Sequence, residues 1–247
     1  MAGERERREL LINAIAGLLQ GIRHVAVGAS SPIPAAGAML LRARNARDGK
    51  PPVNVTILGS NEHNFFTNGT VELFDCAAQG RVDAFFLGGG QIDGAGNINL
   101  VGTGQYPKTD VRWPGSFGSA YLYHLVPRVI LFREEHSPRV FVPKVDFVSA
   151  AATTPEVKRR GGPYALLTNM ALFDFDRVSG GFALRSVHPG FTPSDIRSQT
   201  GFDYAEPAQV PMTVLPDAAT LSLLRGRIMD EVAEAYPAFA RAMLQAA

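Results

Sequence analysis

FFLGGGQIDGAGNINLVGTG, residues 85–104, decides how this chain is read. An apolar strand at Ala84–Leu87 runs into three consecutive glycines, Gly88, Gly89 and Gly90. The polar turn Gln91-Ile92-Asp93 and the pair Gly94 and Gly96 follow. Period-two alternation resumes over Asn97–Val101 and ends at Gly102 and Gly104. Glycines this dense permit positive φ and close approach of a ligand or another chain, at an entropic cost. The G-x-G-x-x-G order of a dinucleotide-binding loop is absent, and that motif would open a helix where this one leads into a strand. The stretch reads as strand, tight polar turn, strand, over a glycine-lined floor.

Upstream, Leu10, Leu11, Ala14, Ile15, Leu18 and Leu19 fall at helical spacing from about Glu4 to Gln20, with Gly21 as the stop. His24–Val27 reads as a strand ending in small residues, Pro34–Arg47 as an Ala-rich helix, and Val53–Leu58 as a second buried strand. This α-β-α-β opening predicts an α/β fold, an open, mostly parallel sheet flanked by helices. The polar loop Ser60–Asn64 then lies where a parallel strand delivers site residues.

A short helix is expected over Val71–Gln79. Downstream of the glycine stretch, Trp113–Ala120 is a turn-rich loop opening a helix through His124. Strands are expected at Val129–Phe132, Arg139–Val142, Ala165–Thr168, Leu172–Phe175 and Phe182–Val187. Thr192 is a strong N-cap before Pro193, with Asp195 placed to reach back and Gly201 to stop the helix. From Pro216 the chain is helical, with Leu221, Leu224, Ile228, Val232 and Ala235 on one face.

The chain has 247 residues, room for one domain over 1–247. A net charge of +1 points to neither nucleic acid nor an anionic membrane as partner. Cys76 is the single cysteine, which excludes an intrachain disulfide and fits a reducing compartment. The charged start MAGERERREL is unlike a signal peptide, and no apolar run approaches the ~20 residues of a membrane span. A cytoplasmic protein is expected. The five histidines show no ligand spacing, so no metal is expected, and no G-x-S-x-G elbow is present.

The residues Phe86–Asp93 with Gly96-Asn97-Ile98-Asn99 resemble a signature of class I coenzyme A transferases, in particular the β subunit of glutaconate CoA-transferase-like enzymes. The likeness continues through Pro107-Lys108-Thr109, Gly115–Gly118, Arg139–Ser149, His188–Pro193 and Thr200-Gly201-Phe202, in the same order. The resemblance implies an acyl-CoA substrate, with coenzyme A as the substrate moiety and no tightly bound cofactor. It also implies a partner α subunit, in an α2β2 heterotetramer, with the active site at the subunit interface. In that family a β-subunit glutamate attacks the thioester, and a glutamyl-CoA intermediate passes CoA to an acceptor acid. At 247 residues the chain has no room for a fused α subunit.

The family's glutamate stands in an E-x-G context at the end of the strand that here is Val53–Leu58. This chain reads Leu58-Gly59-Ser60-Asn61-Glu62, which leaves Glu62 as the candidate nucleophile three or four residues late. The departure is similar to two-subunit hydrolases that open steroid rings as CoA thioesters and lack the β-subunit nucleophile. Oxyanion or CoA contacts fall by resemblance to Gly88, Gly89, Gly90, Gln91, Asp93, Lys108, Gly115, Ser116 and Gly118. Two readings stay open for Gln91 and Asp93: contact with substrate or partner, or satisfaction of backbone donors in a tight turn. Asn97 and Asn99 alternate onto one face and suggest a polar interface. Trp113, Tyr106 and Phe117 line an acyl pocket or belong to the core. A non-catalytic sensor would need a basic DNA-binding arm that the sequence lacks.

Overall fold

The computed structural model describes residues 3–154, 157 and 159–245. Contacts gather the chain into two compact units, Met1–Phe86 with Val214–Ala247, and Leu87–Thr213.

The first unit opens with α1 (Glu4–Leu18), β1 (His24–Val27), α2 (Pro32–Arg47), β2 (Asn54–Ile57), α3 (Gly69–Ala78) and β3 (Ala84–Leu87). β1 pairs in parallel with β2, Val25 opposite Val55, and with β3, Val25 opposite Ala84. Strands covered on both faces need near-continuous apolar runs, and Val25, Ala26, Val27, Val55 and Ile57 are fully buried. Thr56 is the polar exception, and its hydroxyl pairs with His24 Nε2 at 2.8 Å. Helix α2 is buried all along Ile33–Leu41 because its residues are small and apolar around the whole helix. A β-carbon at Gly37 would collide with Ile15 Cγ2, so glycine is what lets α1 and α2 cross closely.

The second unit contains β4 (Gln91–Ile92), β5 (Ile98–Asn99), β6 (Gly102–Thr103), β7 (Val111–Arg112), α4 (Ser119–Leu125), β8 (Arg128–Arg133), β9 (Pro163–Thr168), β10 (Ala171–Asp176), β11 (Gly181–Val187) and α5 (Pro193–Gln199). β8 and β9 are parallel, whereas β9, β10 and β11 form an antiparallel meander. With β1–β2 and β1–β3 also parallel, the mostly parallel, helix-flanked sheet expected from the sequence is found. Phe173, Phe182, Phe202 and Tyr204 pack edge-to-face or stacked in the core of this unit.

The chain returns to the first unit as α6 (Ala218–Leu223), a wide π turn at Leu224–Ile228, α7 (Met229–Ala235) and α8 (Pro237–Gln245). Of the face expected from the helical spacing, Leu224, Ile228 and Val232 are buried, and Leu221 and Ala235 are half-buried. Gly226 breaks the run at φ −113°, ψ −109°. No helix among the described residues is long and apolar enough to cross a membrane.

The strand expected at Arg139–Val142 is not formed. The N–H groups of Val140 and Phe141 both donate to Ser137 O, closing a turn after Pro138. Arg139 pairs there with Glu135. Only Phe141 makes a bridge, parallel to Ile92. The alternation over Asn97–Val101 likewise shrinks to β5, since Asn99 Oδ1 takes the Val101 N–H and Ser149 Oγ takes that of Leu100.

Candidate active site

Candidate residues fall in both units. In the second, the turn between β4 and β5 is built on Asp93, whose carboxylate accepts from Ala95 N (3.1 Å), Asn97 N (3.0 Å) and Asn97 Nδ2 (3.2 Å). Gln91 is 6% exposed. Its Oε1 accepts from Asn99 Nδ2 at 2.7 Å and Asp146 N at 2.9 Å, and its Nε2 donates to Asp146 Oδ2 at 3.1 Å. Asp146 also accepts the Gly104 N–H. Asn99 is fully buried and its Oδ1 accepts from Val101 N, so the asparagine pair braces the turn from within. Every side-chain nitrogen and oxygen of Gln91, Asp93 and Asn99 meets a partner, which makes the turn rigid.

The glycines before the turn are held as tightly. Gly90 N donates to Asn99 O, and a β-carbon on Gly90 would run into the Trp113 ring. Gly89 is buried, while Gly88 lies under Phe132 O. Gly115, Ser116 and Gly118 are partly exposed around Phe117, which stands 82% exposed at φ +44°. Lys108 is exposed on the loop between β6 and β7. A cleft of about 510 Å³ opens beside the turn, lined among others by Asp93, Gly94, Asn97, Lys144 and Phe202. Behind it Tyr123, fully buried, donates to Gly96 O at 2.7 Å, and burial pushes its hydroxyl well above the ordinary tyrosine range.

In the first unit the loop after β2 carries Glu62, which is exposed. Gly59 turns the chain at φ +84° and Ser60, 5% exposed, follows. The Ser60 hydroxyl donates to Glu234 Oε2 at 2.5 Å and accepts from His63 N at 2.9 Å. Asn61 N donates to Glu234 Oε1 at 2.8 Å. Ser60, helped by the N–H groups of Asn61 and Glu62, holds the Glu234 carboxyl below the ordinary glutamate range. Thus the carboxylate fixed against this loop comes from α7, while Glu62 on the loop itself is open to solvent.

A profile of the coenzyme A transferase family matches residues 56–199, from β2 to the end of α5. The chain belongs to the coenzyme A transferase family. The β subunit of the 3-oxoadipate CoA-transferase of Pseudomonas knackmussii is 32% identical over 164 residues, 63% of each chain. The β subunit of the glutaconate CoA-transferase of Acidaminococcus fermentans is 29% identical over 151 residues, 58% of this chain and 56% of that one. The chain thus spans under two thirds of the length of these curated relatives. A crystal structure of Rhodococcus jostii RHA1 IpdAB superposes with a TM-score of 0.76 at 25% identity, covering 91% of this chain and 94% of that one.

Both the Ser60–His63 loop and the glycine turn fall inside the span shared with the coenzyme A transferase family, and Glu234 falls outside it. Sequence reasoning found the loop and the turn but not Glu234, which lies 174 residues from Ser60 in a helical stretch without local signal. Among the described residues no cluster of His, Cys, Asp and Glu is arranged to hold a metal.

Proposed function

We propose that the chain is the β-type subunit of an enzyme that transfers coenzyme A between carboxylic acids. It would work with an α subunit, as an α2β2 heterotetramer in the cytoplasm, on an acyl-CoA that brings its own CoA and with no tightly bound cofactor. The observation that carries this reading is the family match over residues 56–199, supported by the likeness to the β subunits of two CoA-transferases. In this reading Glu62 attacks the thioester carbonyl, expelling CoA thiolate and leaving a mixed anhydride. The thiolate returns to the glutamyl carbonyl and releases the first acid. The second acid attacks the glutamyl thioester, expelling the thiolate and forming a second anhydride, and the thiolate then attacks that acid's carbonyl, giving the new acyl-CoA and freeing the Glu62 carboxylate. N–H groups of Gly88, Gly89, Ser116 and Gly118 are the donors assigned to the oxyanion, while those of Gly90 and Gly115 are spent on Asn99 O and Leu100 O and hold the two turns in shape. Gln91 and Asp93 fix the turn that presents them, and Lys108 offers a point charge to a CoA phosphate.

A second reading, thioester hydrolysis or carbon–carbon cleavage without an acceptor acid, is favoured by two observations. The strand-end positions Leu58 and Gly59 carry no carboxylate, and a cholesterol ring-cleaving hydrolase IpdB subunit of Rhodococcus jostii is 25% identical over 90% of this chain. Mass spectrometry of products from the chain with its partner subunit separates the two. New acyl-CoA that appears only when an acid such as acetate or succinate is added supports transfer. Loss of thioester without any acceptor supports the hydrolytic reading. Under transfer, Glu62→Ala abolishes turnover; near-normal turnover removes Glu62 from the mechanism.

A further inference from the structure

We propose that Glu234 is a positioning residue that sets the loop after β2, and with it Glu62 and His63, through one carboxylate. Two donors of that loop converge on it, the Ser60 hydroxyl on one oxygen and the Asn61 N–H on the other. Bonds to an ionised acceptor are roughly twice as strong as neutral ones, so this contact dominates the loop's own weak turn geometry. Ser60 passes the constraint on, because the oxygen that donates to Glu234 also accepts the His63 N–H. The His63 carbonyl in turn accepts from Ile57 N at 2.9 Å, which ties the far side of the loop to the end of β2. The loop is therefore closed at both ends and anchored at its centre.

Two residues further, the same corner of the chain does this again. The Tyr236 hydroxyl donates to Gly28 O at 3.1 Å, on the loop after β1. β1 and β2 are paired neighbours, so one corner between α7 and α8 clasps two adjacent loops at the carboxyl ends of parallel strands. Ligands bind in crevices at such strand ends. Both Glu234 oxygens are engaged, which suits a brace and not a proton acceptor or nucleophile.

The test is hydrogen exchange on the full chain, joined to thioester kinetics on the complex with its partner subunit. The kinetic arm rests on the acyl-CoA reading above. Glu234→Ala is expected to speed exchange at Asn61 and His63 at least ~10-fold while β1 and β2 keep their protection, and Glu234→Gln, which keeps an acceptor oxygen, less so. In turnover, Glu234→Ala lowers kcat ~10- to 100-fold with KM within about threefold, and Glu234→Gln recovers part of it. Unchanged exchange at both amides overturns the clasp. A loosened loop with wild-type kcat overturns positioning and leaves only a structural brace. Should Glu234→Ala loosen the strands as well, the Glu234→Gln comparison decides. If the wild type turns over no thioester, the acyl-CoA reading falls by itself and the exchange arm alone decides the clasp.

Discussion

Gly90 has no room for a β-carbon because the Trp113 ring occupies the place where that atom would stand. Gly90→Ala forces the indole or the turn to move, an overpacking cost of about 1–3 kcal/mol. Urea unfolding measures it, and in a Trp113→Ala background the same substitution costs little, since the clashing partner is gone. A cost that persists without Trp113 places the strain in the backbone. The reason for this glycine was hidden in the sequence. Its density announced a close approach, but whether a ligand or a tryptophan 23 positions on makes the approach is a tertiary fact. Asp93 was more legible, because a short acid followed by Gly-Ala-Gly-Asn is the composition of a turn that satisfies its own amides, and three donors from Ala95 and Asn97 meet it.

At the level of elements, α5 is the clearest case of local chemistry writing structure. Thr192 Oγ1 accepts from Asp195 N at 3.2 Å and Asp195 Oδ2 accepts from Thr192 N at 2.8 Å, the reciprocal box expected from Thr-Pro-Ser-Asp. Thr192→Ala is expected to lower stability by about 1 kcal/mol while Thr192→Ser costs far less, read as the shift in urea midpoint at constant m. No difference between the two variants would mean that Ile196 packing alone holds α5. The parallel strands β1 and β2 were equally legible, since burial on both faces demands the apolar runs that the sequence shows. Residues Arg139–Val142 were not: Val-Phe-Val has strand propensity, but Ser137 O turns the chain by taking the Val140 and Phe141 amides, which leaves a single bridge to Ile92 in place of a strand. The break at Gly226 was not legible either, since the apolar spacing of the last helices runs straight through it and only the fold opens a π segment there.

For the molecule as a whole, two buried histidines tie stability to pH. His136 pairs with Thr168 and Thr200 hydroxyls, and His188 with the Thr213 hydroxyl and Thr168 O. Burial lowers each to about 4, with the charge of His188 also acting on His136. The unfolded chain takes up these protons near pH 6.5 and the folded chain only near 4, so stability falls as pH drops between those values and levels off below. Each histidine removes up to ~3 kcal/mol over that window. Urea unfolding at pH 7 and pH 5 is expected to show the loss, and His188→Gln to reduce it; equal sensitivity in that variant would assign the effect elsewhere. Carboxylates act lower on the scale. Burial opposes the charge of Glu9, but bonds from Arg225 and Arg5 outweigh it, so its contribution holds above the ordinary glutamate range and is lost as pH falls below it.

The first unit takes its residues from both ends of the chain, and three of its polar contacts, Arg225 to Glu9, Arg42 to Glu231 and Ser60 to Glu234, join positions 216, 189 and 174 apart. During synthesis at ~5–20 residues per second, Leu87–Thr213 leaves the ribosome before those partners exist. For on the order of ten seconds the nascent α1, α2 and strand-end loops wait without the segment that clasps them, which makes this early stretch the one a holding chaperone has most time to meet.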